Sequence, residues 1–241
     1  MARSRLSSDR DRRSLQRPDV RALMYQGGRG QAFSISDLGS ALRLWLKADK
    51  GFSVEQWSDQ SSWGNHYVQA TSENQATLDT LINGILCPRF DGTNDRYDGA
   101  WAADSEPTQP WSLYTVFLRT DINSQGMAWE CNNTVTLADC VVRHEAASAQ
   151  IRLGMAGAGV TLGVGSGDFG VSILTQTVYN DASSSVRAEL TGVAPFTGTF
   201  TATAGSAGTD PWVGARGRVP DNFMKGAIGE AVAATGARLI S

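Results

Sequence analysis

The stretch WSLYTVFLR, residues 111–119, decides the fold class of this chain. Its aromatic, β-branched and leucine side chains occupy both alternating sets of positions, which is typical of a strand buried on both faces. The stretch VSILTQTVY, residues 171–179, has the same character. In LRLWLK, residues 42–47, leucine alternates with Arg, Trp and Lys, and this period of two indicates a strand with one buried face. Strands are therefore expected to build the core.

Further strand-sized segments recur every 8–15 residues, separated by Gly, Asn, Asp and Pro. Residues 186–190 and 197–203 are examples, and helix-length apolar periodicity is nearly absent. This rhythm predicts an all-β fold, a two-sheet antiparallel jelly-roll sandwich over residues 40–241. A chain of 241 residues suits one such domain with an appendage.

Residues 1–39 are polar, arginine-rich and then glycine-rich, which predicts an extended basic N-terminal arm. Residues 1–21 have a net charge of +4, whereas the rest of the chain has a net charge of −7. We expect the arm to bind acidic protein surfaces in an assembly, including further copies of this chain in a homo-oligomer, and the alternative is a solvated tail without a partner. Nucleic acid is a disfavoured partner, because the arm also contains three Asp. The proposed assembly residues are the seven arginines Arg3, Arg5, Arg10, Arg12, Arg13, Arg17 and Arg21.

The cysteines and the hydropathy pattern suggest a compartment. Cys87, Cys131 and Cys140 are odd in number, and the N-terminal region lacks the roughly 7–15-residue apolar stretch of a signal peptide. No apolar run approaches the ~18 residues of a membrane span. We expect free thiols, synthesis in the cytoplasm and no membrane partner. A zinc site from Cys131, Cys140 and His144 is conceivable, but the spacing fits no usual zinc pattern and structural roles are favoured.

The motifs in the sequence favour a protein without catalytic residues. The run GSGDFG, residues 165–170, matches GxGxxG, but a strand-like segment follows it where a dinucleotide site needs a helix. No GxxxxGK[ST] or GxSxG motif is present, and the chain has two histidines. None of its seven Glu has a second carboxylate two or four residues away within a convincing strand, as a glycosidase pair on one strand would require.

An aromatic cluster, WSDQSSWGNHY over residues 57–67, is the candidate glycan-binding segment. Trp63, Asn65 and Tyr67 would combine rings that stack on a sugar with polar groups for its hydroxyls. In the alternative interpretation, Trp57 caps the core and Asp59 fixes a turn.

An acidic loop, DGTND over residues 91–95, offers a candidate calcium site, and no other cofactor is expected. Asp91, Asn94 and Asp95 present the side-chain oxygens that calcium prefers. In the alternative, the loop is a tight turn in which these side chains bond their own backbone.

Several of these segments together resemble a concanavalin A-like, laminin-G-like jelly-roll domain. The resemblance covers residues 40–240 and rests on LWLKAD (44–49), VEQWSD (54–59), SWGN (62–65), RFDG (89–92), PWVGA (211–215) and FMKGAIGE (223–230). The chain departs from the pattern at Thr191-Gly192, where relatives carry Asn-Gly, and it lacks the E-x-D-x-x-E of glucanase relatives. The resemblance implies a sandwich with a binding or structural role, and no enzyme activity.

Such domains with short N-terminal arms are similar to virion structural proteins of tailed bacteriophages. The resemblance implies a non-enzymatic head decoration protein or tail-associated adhesin, anchored by its arm to other virion proteins. The expected location is the virion, after synthesis in the host cytoplasm. The alternative function is a lectin-like carbohydrate-binding adhesion module that recognises host glycans.

Overall fold

The computed structural model describes residues 34–108, 110–121, 126–132, 140–144, 150–155, 158–163, 172–179, 184–190, 196–200, 210–215 and 222–236. The predicted arm lies almost entirely outside these residues. Its last residues enter a 3-10 helix, Ile35–Ala41, which leads into the first strand. In the described part of the chain, no helix is long and apolar enough to cross a membrane.

The described residues form two 3-10 helices, Ile35–Ala41 and Ser72–Asn74, and sixteen strands. The strands are β1 Leu42–Lys47, β2 Gln56–Trp57, β3 Tyr67–Val68, β4 Thr77–Ile82, β5 Ile85–Asp91, β6 Tyr97–Gly99, β7 Trp111–Arg119, β8 Gly126–Asn132, β9 Cys140–His144, β10 Gln150–Met155, β11 Ala158–Gly163, β12 Ser172–Tyr179, β13 Ser184–Leu190, β14 Phe196–Phe200, β15 Asp210–Val213 and β16 Lys225–Thr235.

The strands build two antiparallel sheets. Sheet A has the order β14-β13-β12-β7-β16-β5-β4, with β1 also paired to β16. Sheet B has the order β11-β10-β9-β8-β15-β6-β3-β2, so that β2 is its edge strand. The predicted all-β, two-sheet antiparallel sandwich is confirmed.

Strand β7 lies in the middle of sheet A, as its sequence predicts. All nine of its residues are buried, and it pairs with β12 on one side and β16 on the other. Strand β16 is long enough to serve two partners on its far side, β5 along Lys225–Ala227 and β1 along Glu230–Ala234. This double pairing places β16, like β7, in the interior of sheet A.

Large aromatic side chains fill the space between the sheets. Trp111 of sheet A and Trp129 of sheet B face each other, with ring centroids 6.3 Å apart. The indole N–H of Trp129 donates to the Tyr67 hydroxyl at 3.1 Å, which satisfies both polar groups inside the core. Trp57 is also fully buried, as the core interpretation of the aromatic cluster predicts.

A second, smaller apolar cluster covers the outer face of sheet A. Leu38 from the first 3-10 helix packs with residues of β1, β7 and β16, namely Leu42, Tyr114, Val232 and Ala234. This cover explains why β7 is buried on both faces.

Candidate functional site

Asp59 organises the loop of the aromatic cluster. Its buried carboxylate accepts backbone hydrogen bonds from Trp45 and Ser61 on Oδ1, at 2.7 and 2.9 Å, and from Asn65 on Oδ2 at 2.9 Å. The Ser61 hydroxyl also donates to Oδ2. The carboxylate is thus occupied by its own chain, as expected of a residue that fixes a turn.

Asn65, one of the predicted glycan-binding residues, is buried and holds two loops together. Its amide N–H donates to the Arg43 carbonyl at 2.7 Å. Its Oδ1 accepts from the Ala102 N–H and from the Ser105 hydroxyl, at 2.7 and 2.8 Å. All of these contacts are internal to the fold.

Tyr67 and Trp63, the other two predicted glycan-binding residues, occupy different environments. Tyr67 is fully buried, and an added Cβ on Gly99 would collide with its ring, so no ligand can stack on it in this structure. Trp63 is half-buried, and the Arg43 guanidinium carbon lies 4.4 Å from its ring centroid. The structure therefore does not bring the three residues together as one surface patch.

The predicted calcium loop forms a tight turn. Asp91 Oδ1 accepts the Thr93 and Asn94 backbone N–H groups at 2.7 and 3.4 Å, and Asp95 Oδ2 accepts the Asp91 N–H at 2.8 Å. Burial raises the pKa of the Asp95 carboxyl to about 6, with the Asp91 charge adding to the rise. Within the described residues, no group of three or more His, Cys, Asp and Glu could hold a metal. Calcium binding stays a prediction here.

The remaining predicted residues lie largely outside the described structure. The seven arm arginines and the 165–170 loop are not among the described residues. Cys131 and Cys140 are register partners on β8 and β9. Cys87 is a free, buried thiol in β5, and burial raises its pKa to about 11.

An open cleft lies beside β2, the edge strand of sheet B. Its volume is about 760 Å³, within the range of small-molecule sites. The Gln56 amide donates to the Ser58 hydroxyl at 2.8 Å, while the exposed Glu55 carboxylate makes no hydrogen bond or ion pair with a described residue. The cleft is lined by Gly51, Phe52, Ser53, Glu55, Gln56, Ser58, Val68 and Ala70.

A row of residues that are paired from strand to strand runs from this cleft across sheet B. Successive register pairs join β2, β3, β6, β15 and β8 in one cross-strand row. Directly paired residues of an antiparallel sheet point to the same face. The row faces away from the core, because the alternate positions Trp57, Tyr67, Val213 and Trp129 are buried in the core. We call the row and its cleft the sheet B face, with the row residues Gln56, Val68, Asp98, Trp212 and Glu130.

The middle of the sheet B face combines an indole with a carboxylate. Trp212 is half-buried, and its direct neighbour Asp98 has a side chain 44% exposed. Burial raises the pKa of Asp98, while Arg96, whose Nε lies 3.4 Å from Asp98 Oδ1, opposes that rise. Val68 is 48% exposed, whereas Glu130 at the far end of the row is fully buried. The solvent-accessible part of the row therefore ends before Glu130.

The sheet B face is not among the sites that the sequence predicts. Asp98 and Trp212 are far apart in the sequence, and Gln56 lies just before Trp57, the first residue of the predicted aromatic cluster. The available signal was strand alternation, because the residue next to a buried residue along a strand points outward. Without the register between strands, this signal does not show which outward residues are neighbours.

The sequence matches no family model and no curated protein. Several solved structures share the fold. The botulinum neurotoxin serotype D binding domain superposes with a TM-score of 0.58 at 8% identity, over 83% of this chain and 50% of that chain. A mutant Trypanosoma rangeli sialidase with trans-sialidase activity gives a TM-score of 0.57 at 10% identity, over 88% of this chain and 32% of that chain. The chain thus spans about half the length of the neurotoxin domain and about a third of the length of the sialidase.

A family GH54 α-L-arabinofuranosidase gives a TM-score of 0.51 at 14% identity, over 77% of this chain and 48% of that chain. Together with the strand topology, these likenesses show that the chain has a two-sheet antiparallel β-sandwich fold.

One expectation needs correction. The resemblance implied that this chain is not an enzyme, and that inference is wrong, because a sialidase and an arabinofuranosidase contain the same fold. The fold is shared with glycosidases and does not exclude their chemistry. At 10–14% identity, the likeness equally assigns no activity to this chain.

Proposed function

We propose that this chain is a carbohydrate-binding domain whose ligand lies on the sheet B face. The observation that carries the proposal is the register that places Trp212 beside Asp98, in line with the cleft at Gln56. An indole offers an apolar face to the C–H groups of a sugar ring, and a neighbouring carboxylate accepts hydrogen bonds from its hydroxyls.

The dimensions of the face suit a chain of sugars rather than one ring. From β2 to β15 there are three strand spacings, about 14 Å in all. The cleft at one end supplies the Glu55 carboxylate and the Gln56 Oε1, and neither bonds to another described residue. A ligand that spans this distance could contact the cleft and Trp212 at the same time.

The similar structures support this proposal at the level of ligand class. One is a neurotoxin binding domain, and two belong to enzymes named for sialic acid and arabinofuranoside chemistry. In our proposal Trp212 supplies the stacking ring in place of Tyr67, which is buried. Trp63 is the remaining candidate from the aromatic cluster, with one ring face already covered by Arg43.

The test compares two half-buried tryptophans that lie at different places, Trp212 and Trp63. A glycan array first identifies an oligosaccharide that the full chain binds, and titration calorimetry then gives affinities for Trp212→Ala and Trp63→Ala. Trp212→Ala should weaken binding about tenfold, which is typical of an aromatic residue at the centre of an interface. Trp63→Ala should change the affinity less than about twofold.

Circular dichroism of both variants, together with the conservative Asp98→Asn, separates lost binding from lost folding. A folded Trp212→Ala protein with unchanged affinity would contradict a ligand site on the sheet B face. A selective loss in Trp63→Ala would instead place the ligand at the aromatic cluster.

We also propose a structural role in an assembly, of the kind found in bacteriophage heads or tails. The supporting observation is the charge asymmetry between residues 1–21 at +4 and the rest of the chain at −7. In this proposal the arm arginines pair with carboxylates of neighbouring subunits or virion proteins. The glycan site would then serve adhesion to a host surface.

Light scattering tests the arm directly. The full chain should form a multimer at low salt, and the chain without residues 1–30 should be a monomer with the same circular dichroism spectrum. Equal masses for the two proteins, measured both alone and with the candidate virion partner, would contradict an assembly role for the arm.

A further inference from the structure

The charged side chains of the sheet B face are unevenly distributed. Glu55 in the cleft is exposed, and its carboxylate has no hydrogen bond or ion pair to a described residue. Asp98, in the middle of the row, keeps nearly half of its side chain exposed. The accessible part of the face therefore presents two carboxylates to a ligand.

None of the five row residues is basic, and the guanidinium of Arg96, beside the row, is already paired. The guanidinium of Arg96 lies beside the Asp98 carboxylate, with 3.4 Å between Nε and Oδ1, and its side chain is only 21% exposed. None of the eight residues that line the cleft is basic. Lys50 precedes the first lining residue, Gly51, but is not itself part of the lining.

The two kinds of charged sugar should respond to this arrangement in opposite ways. A sugar carboxylate needs a cation or several N–H donors to replace the water that it loses on binding. On this face it would instead approach the Glu55 carboxylate, which has no ion pair to a described residue and would repel it, whereas the Asp98 charge is already balanced by Arg96. A protonated amine on a sugar would meet an unpaired carboxylate in the cleft, and a neutral sugar would lose nothing from either charge.

We infer that the ligand of the sheet B face is a neutral or amino-bearing glycan, that acidic sugars are excluded, and that Glu55 is the residue that sets this preference. The inference rests on the proposed function and adds the chemical class of the sugar. It also separates this face from the sialic acid chemistry for which the sialidases of the same fold are named.

The experiment uses three sets of oligosaccharides matched in length: N-acetylated chitin oligomers, which are neutral, chitosan oligomers, which carry amines, and oligogalacturonates, which carry carboxylates. Affinities for the full chain are measured at pH 6 and low salt, and again at high salt. Chitosan should bind about two- to fivefold more tightly than chitin at low salt, and this advantage should shrink at high salt because screening weakens an exposed pair. Oligogalacturonate should bind most weakly.

Two variants that each remove one charge assign the preference to a side chain. Glu55→Gln should bring the chitosan affinity down to the chitin affinity measured with the same variant. Lys50→Gln, a matched change of one charge on the exposed residue before the cleft, should leave the order of the three ligands unchanged. Oligogalacturonate binding as tight as chitin binding, or a chitosan preference that survives Glu55→Gln, would overturn the inference.

The outcomes for the two proposals differ. Binding of chitin oligomers that depends on Trp212 but shows no effect of ligand charge would overturn the charge inference alone. A folded full chain that binds none of the three sets, nor any glycan on an array, would overturn the proposed function and the inference with it.

Discussion

Replacing Asp95 by Asn should stabilise this protein near neutral pH. The Asp95 side chain is almost completely buried in the 91–95 turn, where it accepts the Asp91 backbone N–H. Burial raises its pKa to about 6, compared with 3.8 for an unperturbed Asp. The amide that Asp95→Asn introduces could accept the same hydrogen bond without a charge that has to leave water.

The sign of the pH dependence follows from this raised pKa. Between pH 4 and pH 6 the folded chain holds a proton on Asp95 that the unfolded chain has largely released, so the free energy of unfolding falls as pH rises. The full difference between the two pKa values corresponds to about 3 kcal/mol at pH 7. The variant also loses the charge-assisted hydrogen bond from the Asp91 N–H, and this loss offsets part of the ~3 kcal/mol. Asp95→Asn should therefore be about 1–3 kcal/mol more stable than the parent at pH 7 and nearly equal to it at pH 4.

Urea unfolding followed by tryptophan fluorescence at pH 4, 5, 6 and 7 measures this difference. Asp79→Asn is the matched control, because the hydrogen bond from Arg89 lowers the pKa of this exposed carboxyl. The control should be slightly less stable than the parent at pH 7, which is the opposite sign. Equal stability of Asp95→Asn and the parent at every pH, or a gap that widens towards pH 4, would refute the reasoning. Stabilisation of the parent by calcium that Asp95→Asn abolishes would support the metal prediction for this loop.

Three further substitutions test the fold by chemical denaturation. Asp59→Ala removes the acceptor of four hydrogen bonds and should cost about 3–5 kcal/mol, with partial recovery in Asp59→Asn. Gly214→Ala places a Cβ against the Phe90 ring at a φ of +88° and should cost about 1–3 kcal/mol. Tyr97→Phe removes a 2.9 Å hydrogen bond to the Val54 carbonyl and should cost about 1 kcal/mol. Losses below about 0.5 kcal/mol would contradict each assignment.

Much of the sandwich could be predicted from local patterns. The stretch 111–119 has large apolar or aromatic residues at both sets of alternate positions, and it becomes a fully buried strand that is paired on both sides. The alternation in 42–47 likewise matches β1, whose leucines are buried while the residues between them are half-buried. These predictions succeed because side-chain burial in a strand follows a period of two, which is a property of the local backbone.

The candidate site was less predictable. The segment 57–67 was expected to offer Trp63, Asn65 and Tyr67 to a sugar, yet Asn65 and Tyr67 are buried and satisfied by partners far along the chain. The alternative roles of Trp57 and Asp59, in the core and in the turn, are the ones that the structure contains. Aromatic and polar residues suit a core and a binding surface equally well, so composition could not decide between them.

The amino-acid sequence by itself determined the strand-forming segments, the turns between them and the contrast between a basic N-terminal region and an acidic remainder, because all of these are local or additive properties. Only the tertiary structure decided that Asp98 and Trp212 stand side by side and that the row continues into the cleft at Gln56. Register between strands distant in sequence depends on how the two sheets share one core, and no local pattern contains that information.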